Sequence, residues 1–179
     1  MYIWIGINVD EQLSIIKEKA FTIEKALGFK NSNFTLPLHI SLKISFEVDD
    51  SVYLNVIKTI AEYYQTLNAF KIAVKGIEKD EVIVWIRMHS NENINKIHDD
   101  LNEILKNKFS VGIHEYDLDY KFHTTLFMDN DKEKIDKAYD LIRNEVIPSI
   151  LIANKFVIGT SESGSLGTFS VCKTVITEK

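Results

Sequence analysis

The 179-residue chain contains one cysteine, two prolines and seven glycines. A lone thiol, Cys172, closes no internal disulfide and founds no cysteine metal cluster, so a reducing, cytoplasmic setting is expected. So little proline and glycine excludes collagen-like and low-complexity chains. No apolar run approaches the roughly 20 residues that cross a bilayer. The start, Met1-Tyr2-Ile3-Trp4-Ile5, lacks the basic and long apolar regions of a signal peptide and reads as a strand, so no membrane partner is expected. Positive charge is also short: 21 Lys and Arg stand against 26 Asp and Glu, a net charge of −5. Proteins that grip long duplex nucleic acid are usually basic, because phosphate neutralisation drives that binding. A small nucleotide or a strand end needs only a local positive pocket and stays open as a partner. What the chain does have is 45% hydrophobic residues. That suffices for a core in one domain, 1–179, or in two small lobes.

Periodicity predicts an α+β chain. Residues 2–9 alternate as a strand, and Asp10 is placed to cap a helix that Gly28 ends. A strand is expected over 38–47, then a helix from Asp49 or Asp50 to about Leu67. Strands at 70–77 and 81–88 flank a turn at Lys79-Asp80. A helix from Asn91 or Asn93 carries Ile94, Ile97, Leu101, Ile104 and Leu105 toward the core. Residues 109–120 are irregular, 121–128 form a strand, and a helix runs from Asp129–Asp131 to near Val146. A hairpin of 154–161 and 168–176 closes the chain, with Gly164 and Gly167 in its loop. The order repeats: Trp4-Ile5 matches Trp85-Ile86, His39 matches His123, and Ala69-Phe70-Lys71-Ile72 falls near Ala153-Asn154-Lys155-Phe156. The offsets, 81, 84 and 84 residues, nearly agree, as expected of an internal duplication. Two such lobes about a pseudo-twofold axis place their motif strands across a central groove.

The repeated element is chemical. His39-Ile40-Ser41-Leu42 and His123-Thr124-Thr125-Leu126 share the pattern His, any residue, hydroxyl, Leu. On a strand, residues i and i+2 share a face, so each stretch presents one imidazole beside one hydroxyl. Displacement at phosphorus needs a base on the entering oxygen and an acid on the leaving one. An imidazole serves either role near neutrality, so two supply both without a metal. Ser41 and Thr125 are candidate donors to the phosphoryl oxygens. Lys43 and Lys121, two residues from Ser41 and His123, are candidate sources of positive charge. Tyr2 and Trp4 share a face of the first strand and can line the groove or stack on a base.

The doubled motif in a repeated α+β chain resembles the two-histidine (2H) phosphoesterase superfamily, in its 2′-5′ RNA ligase-like and cyclic phosphodiesterase branch. Pro37-Leu38-His39 and Lys121-Phe122-His123 also resemble the usual lead-in. The second copy departs from the pattern in two places: Thr124 stands where an apolar residue is usual, and no proline precedes His123. The resemblance implies a bilobal fold of two mainly antiparallel sheets around a central groove, with helices outside. It also implies metal-independent, cofactor-free action on 2′,3′-cyclic phosphodiesters of nucleotides or RNA ends, with His39 and His123 catalytic and Ser41 and Thr125 binding phosphate. Ligation of RNA ends is the reverse reaction. The alternatives are a non-catalytic nucleotide or RNA-end binding module with the same groove, and a partner-binding domain with structural histidines. Of the other histidines, His89 reads as a strand-end surface residue and His98 as a solvated helix residue. His114 is not expected to bind a metal, because its spacing fits no strong metal pattern. Substrate selectivity is expected from the stretches near 28–37 and 109–120.

Overall fold

The computed structural model describes residues 1–29 and 33–177; residues 30–32, within the stretch expected to bear on selectivity, lie outside the described part. The elements are β1 (Tyr2–Asn8), α1 (Ser14–Leu27), β2 (His39–Ser41), β3 (Phe46–Glu47), α2 (Tyr53–Gln65), β4 (Phe70–Lys79), β5 (Ile83–Met88), α3 (Glu92–Phe109), β6 (His123–Met128), α4 (Lys132–Ile142), β7 (Ile150–Ala153), β8 (Lys155–Ser161) and β9 (Ser170–Ile176). They form two antiparallel sheets, as expected. One runs β2-β1-β8-β9, with β3 also on β1; the other runs β6-β5-β4-β7.

The duplication is interleaved. Each sheet starts with a motif strand and continues with a tryptophan strand: β2 then β1, or β6 then β5. The third strand of each sheet comes from the other half of the chain, β8 beside β1 and β4 beside β5. Neither lobe is therefore a contiguous half of the sequence, as the simple repeat predicted. Helices α1 and α4 pack against the second sheet, α2 against β8 and β9 of the first, and α3 against α2. Alternation fills the core between sheets and helices with Ile3, Ile5 and Ile7 of β1, Val84 and Ile86 of β5, and Leu126 of β6. Burying a side chain of this size contributes about 1.5–3 kcal/mol. Ile94, Ile97, Leu101 and Leu105 form the buried stripe of α3.

Three helix ends fall at expected residues, and at a fourth the expected side chain has found a better partner. Asn91 and Asp131 cap α3 and α4 by accepting from Ile94 N and Lys134 N. Gly28 ends α1 at φ +66°, a conformation that costs an L side chain energy. Asp10 does not cap α1. Its carboxylate accepts from Leu38 N at 2.7 Å and from Lys17 Nζ at 2.6 Å, so the helix opens with a 3-10 turn at Glu11–Leu13. Asp10 thus fixes the residue immediately before His39. The short strand β7 was not foreseen; it adds to the edge of the second sheet through β4.

The expected strand over 38–47 breaks after Ser41. Ser41 pairs with Gly6 and Phe46 with Ile3, so five steps of chain face three on β1. The two surplus residues let Lys43 turn inward. Its Nζ donates to Asp117 Oδ2 at 2.5 Å and to Asn102 Oδ1 at 2.7 Å, and Lys43 and Asp117 are 2% and 6% exposed. His98, expected in solvent, is buried in the same cluster. Its Nδ1 donates to Leu42 O at 2.7 Å and its Nε2 lies 3.0 Å from Asp117 O. The segment after α3, irregular apart from a turn at Glu115–Asp117, is thereby fastened behind the first motif.

Removing one partner of a buried ion pair strands the other and costs about 3–5 kcal/mol. Asp117→Ala is expected to lower unfolding stability by that amount in urea titration, and Lys43→Met with Asp117→Leu to recover most of it. A single variant within about 0.5 kcal/mol of the parent, the usual range of surface substitutions, contradicts this role.

Candidate active site

The motif strands are the neighbouring edges of the two sheets. Thr124, which departs from the family pattern, lies on the seam: it is fully buried, and its Oγ1 donates to the carbonyl of His39 at 2.9 Å. A buried hydroxyl needs a partner, and this one finds it on the opposite motif strand. The β-branched threonine suits the strand while its hydroxyl joins the lobes.

The two histidines are held alike. His39 Nδ1 donates to Pro37 O at 2.8 Å, and His123 Nδ1 donates to Lys121 O at 2.6 Å. A carbonyl only accepts, so each neutral ring carries its proton on Nδ1 and leaves Nε2 as the acceptor. Each ring also rests on a tryptophan, with centroids 4.1 Å apart for His39 on Trp4 and 4.7 Å for His123 on Trp85. Both imidazoles are half-buried. Burial, helped by the neighbouring His123, lowers the pKa of His39 from the ordinary 6.5 to about 4. Burial, helped by Arg87, lowers that of His123 as well. The free site therefore favours two neutral rings at pH 7.

Glycine makes room for the indole on the first side. A Cβ on Gly159 would lie 2.6 Å from Trp4 Cε3, and one on Gly6 would lie 3.0 Å from Trp4 Cζ2. Trp4 then reaches Ser41, to whose Oγ its Nε1 donates at 3.1 Å. Tyr120, from the segment after α3, stacks on His98 with ring centres 4.7 Å apart. His39 and Thr125 line a common cavity of about 120 Å³, walled by Leu36, Pro37, Met128, Leu166 and Phe169. One residue from each motif thus borders the same space.

The structure therefore brings His39, Ser41, His123, Thr125 and Trp4 to one seam. Tyr2 lies elsewhere: it pairs with Glu47 across β1 and β3, and its ring covers Gly164. Lys43 is corrected from a groove lysine to a buried structural cation, because the strand ends before it. Lys121 precedes β6 and its side chain is exposed; its carbonyl is what orients His123. His114 accepts from Tyr116 N and caps the turn at Glu115–Asp117. Among the described residues, no group of three or more His, Cys, Asp or Glu could hold a metal ion, and no helix is long and apolar enough to cross a membrane.

Sequence reasoning missed Arg87. It pairs with His123 across β5 and β6, as Trp85 pairs with Thr125. The signal was present in the repeat: matching Trp85 to Trp4 places Trp85, and with it Arg87 two residues on, on the groove face.

Two comparisons agree with this geometry. The 2′-5′ RNA ligase superfamily model matches residues 18–162. The crystal structure of Escherichia coli LigT complexed with NADP+ superposes with a TM-score of 0.60 at 11% identity, covering 99% of this chain and 97% of that one. TT0787 of Thermus thermophilus superposes with a TM-score of 0.58 at 13% identity, covering 98% and 97%. LigT complexed with 3′-AMP gives 0.57 at 14% identity, covering 99% and 98%. No curated protein matches the chain in sequence. With the family model spanning most of its length and both histidine motifs meeting at one seam, the chain belongs to the 2′-5′ RNA ligase superfamily of two-histidine phosphoesterases.

Proposed function

We propose that this protein is a metal-independent phosphoesterase that opens 2′,3′-cyclic phosphodiesters of nucleotides or RNA ends. The observation that carries this reading is the pair of like-held imidazoles on adjoining strand edges, each with Nδ1 tied to a backbone carbonyl. The family supplies the general activity, phosphoester cleavage or ligation. LigT, similar in fold, has been crystallised with 3′-AMP, ATP and phosphate, which supports a nucleotide-sized phosphate ligand here.

In this reading water enters in line with the leaving ribose oxygen. One Nε2 accepts the water proton as the P–O bond forms. The other histidine, protonated beforehand, gives its proton to the ribose oxygen as the old P–O bond breaks, leaving a phosphomonoester and a free hydroxyl. The two histidines exchange proton states in each cycle, and solvent resets them. Thr125 and Ser41 donate to the non-bridging oxygens, where charge grows in the transition state. The apolar wall beside His39 suits the flat face of a base or ribose. Run backward with an RNA hydroxyl in place of water, the same steps join ends.

His39→Ala and His123→Ala are each expected to lower kcat by about 10²–10⁴-fold on 2′,3′-cyclic nucleotides, with chelators leaving the parent unaffected. Turnover at the parental rate in either variant removes the mechanism. Phosphate binding without turnover in the parent favours the binding-module alternative.

The pH dependence follows from burial. Because burial disfavours imidazolium, the half-protonated pair is populated on the acid side of 6.5. The plot of kcat/KM against pH is expected to be bell-shaped with its maximum below 6.5. A maximum above pH 8 contradicts the assignment.

A further inference from the structure

Strand β5 brings to the groove a cation that neither motif contains. Arg87 stands directly across from His123 in the β5–β6 register, and its side chain is 14% exposed. Its Nε and Nη1 are buried and have no hydrogen-bond partner among the described residues. The carboxylate of Glu78 on β4 is 3.6 Å from Nε, too far for a hydrogen bond, and its other oxygen is held by Lys75 at 2.7 Å. The guanidinium lies over Trp85, 5.4 Å from the ring centre. Trp85 Nε1 is likewise buried without a partner among the described residues, whereas its repeat mate Trp4 donates to Ser41.

The two sides of the groove are therefore alike in their histidines and unlike in their donors. The first side satisfies its indole N–H internally. The second keeps three nitrogen donors unmet beside its histidine. Unmet buried donors, and a buried cation above all, cost stability. Planar guanidinium is the side chain best matched to phosphoryl oxygens, and hydrogen bonds to an anion are the strong ones.

We propose that Arg87, supported by the indole N–H of Trp85, forms an anion seat on the second motif's side of the groove that takes a phosphoryl oxygen of the substrate. The inference rests on the phosphoesterase reading and adds to it an orientation: the phosphate docks against β5 and β6, and the ribose or base extends toward Pro37 and Phe169. The charged and titratable groups around His123 fit this seat. Arg87 faces it from β5, His39 from β2, Glu78 lies behind Arg87 on β4, and Lys121 precedes it in its own segment.

The test compares the parent with Arg87→Met and Arg87→Lys. It measures inorganic phosphate binding by calorimetry, the thermal midpoint, and steady-state kinetics on a 2′,3′-cyclic nucleotide. Arg87→Met is expected to weaken phosphate binding at least about tenfold, with a midpoint equal to or above the parent's, because two buried guanidinium nitrogens without hydrogen-bond partners among the described residues are removed. Arg87→Lys is expected to keep part of the affinity. Parental phosphate affinity in Arg87→Met overturns the proposal, as does a midpoint lower by several degrees, the mark of a structural cation, or no phosphate binding by the parent. If Arg87-dependent phosphate binding persists while the parent turns over no cyclic nucleotide, the seat stands and the enzymatic reading falls. If turnover depends on the histidines and ignores Arg87, the reverse holds.

Discussion

A single hydrogen bond, made twice, organises this groove. In each motif the imidazole Nδ1–H binds the carbonyl two residues upstream, Pro37 or Lys121. The bond is short-range, so it needs only the local backbone and survives the sequence differences between the two copies. It sets the tautomer, aims Nε2, and fixes the ring against a tryptophan. Without it, each half-buried ring could turn and present either nitrogen. The proposed chemistry depends on both rings presenting the same one.

Around that bond the fold supplies rigidity from a distance. Asp10 holds Leu38, the residue before His39. Thr124 ties its own strand to the carbonyl of His39. Lys43, Asp117, Asn102 and His98 fasten the far end of the first motif to α3 and to the segment that delivers Tyr120. The exchange of β4 and β8 between sheets adds a further constraint: one lobe cannot be displaced without pulling on strands from both halves of the chain.

Much of this was legible in the sequence. Alternation and caps gave the α+β class and most elements, and the repeated His-x-hydroxyl pattern gave the paired site. The failures share a cause. Local spacing allows Asp10 to cap a helix and Lys43 to line the groove; tertiary partners, Leu38 and Asp117, claim them instead. His98 looked solvated because polar residues surround it on its helix, yet carbonyls from two distant segments enclose it. The interleaving of the lobes was invisible because strand neighbours depend on pairing across the chain, which one sequence does not state. Arg87 is hidden because its mate in the repeat is Gly6, so the duplication that aligns the histidines carries no second arginine.

The most direct test of the central claim is long-range ¹H–¹⁵N NMR of the histidine rings in the folded protein, without and with inorganic phosphate. The account predicts neutral Nδ1–H tautomers for both His39 and His123 at pH 7, and a response of both Nε2 resonances to the same phosphate titration. An Nε2–H tautomer at either position, or a response confined to one ring, would contradict it.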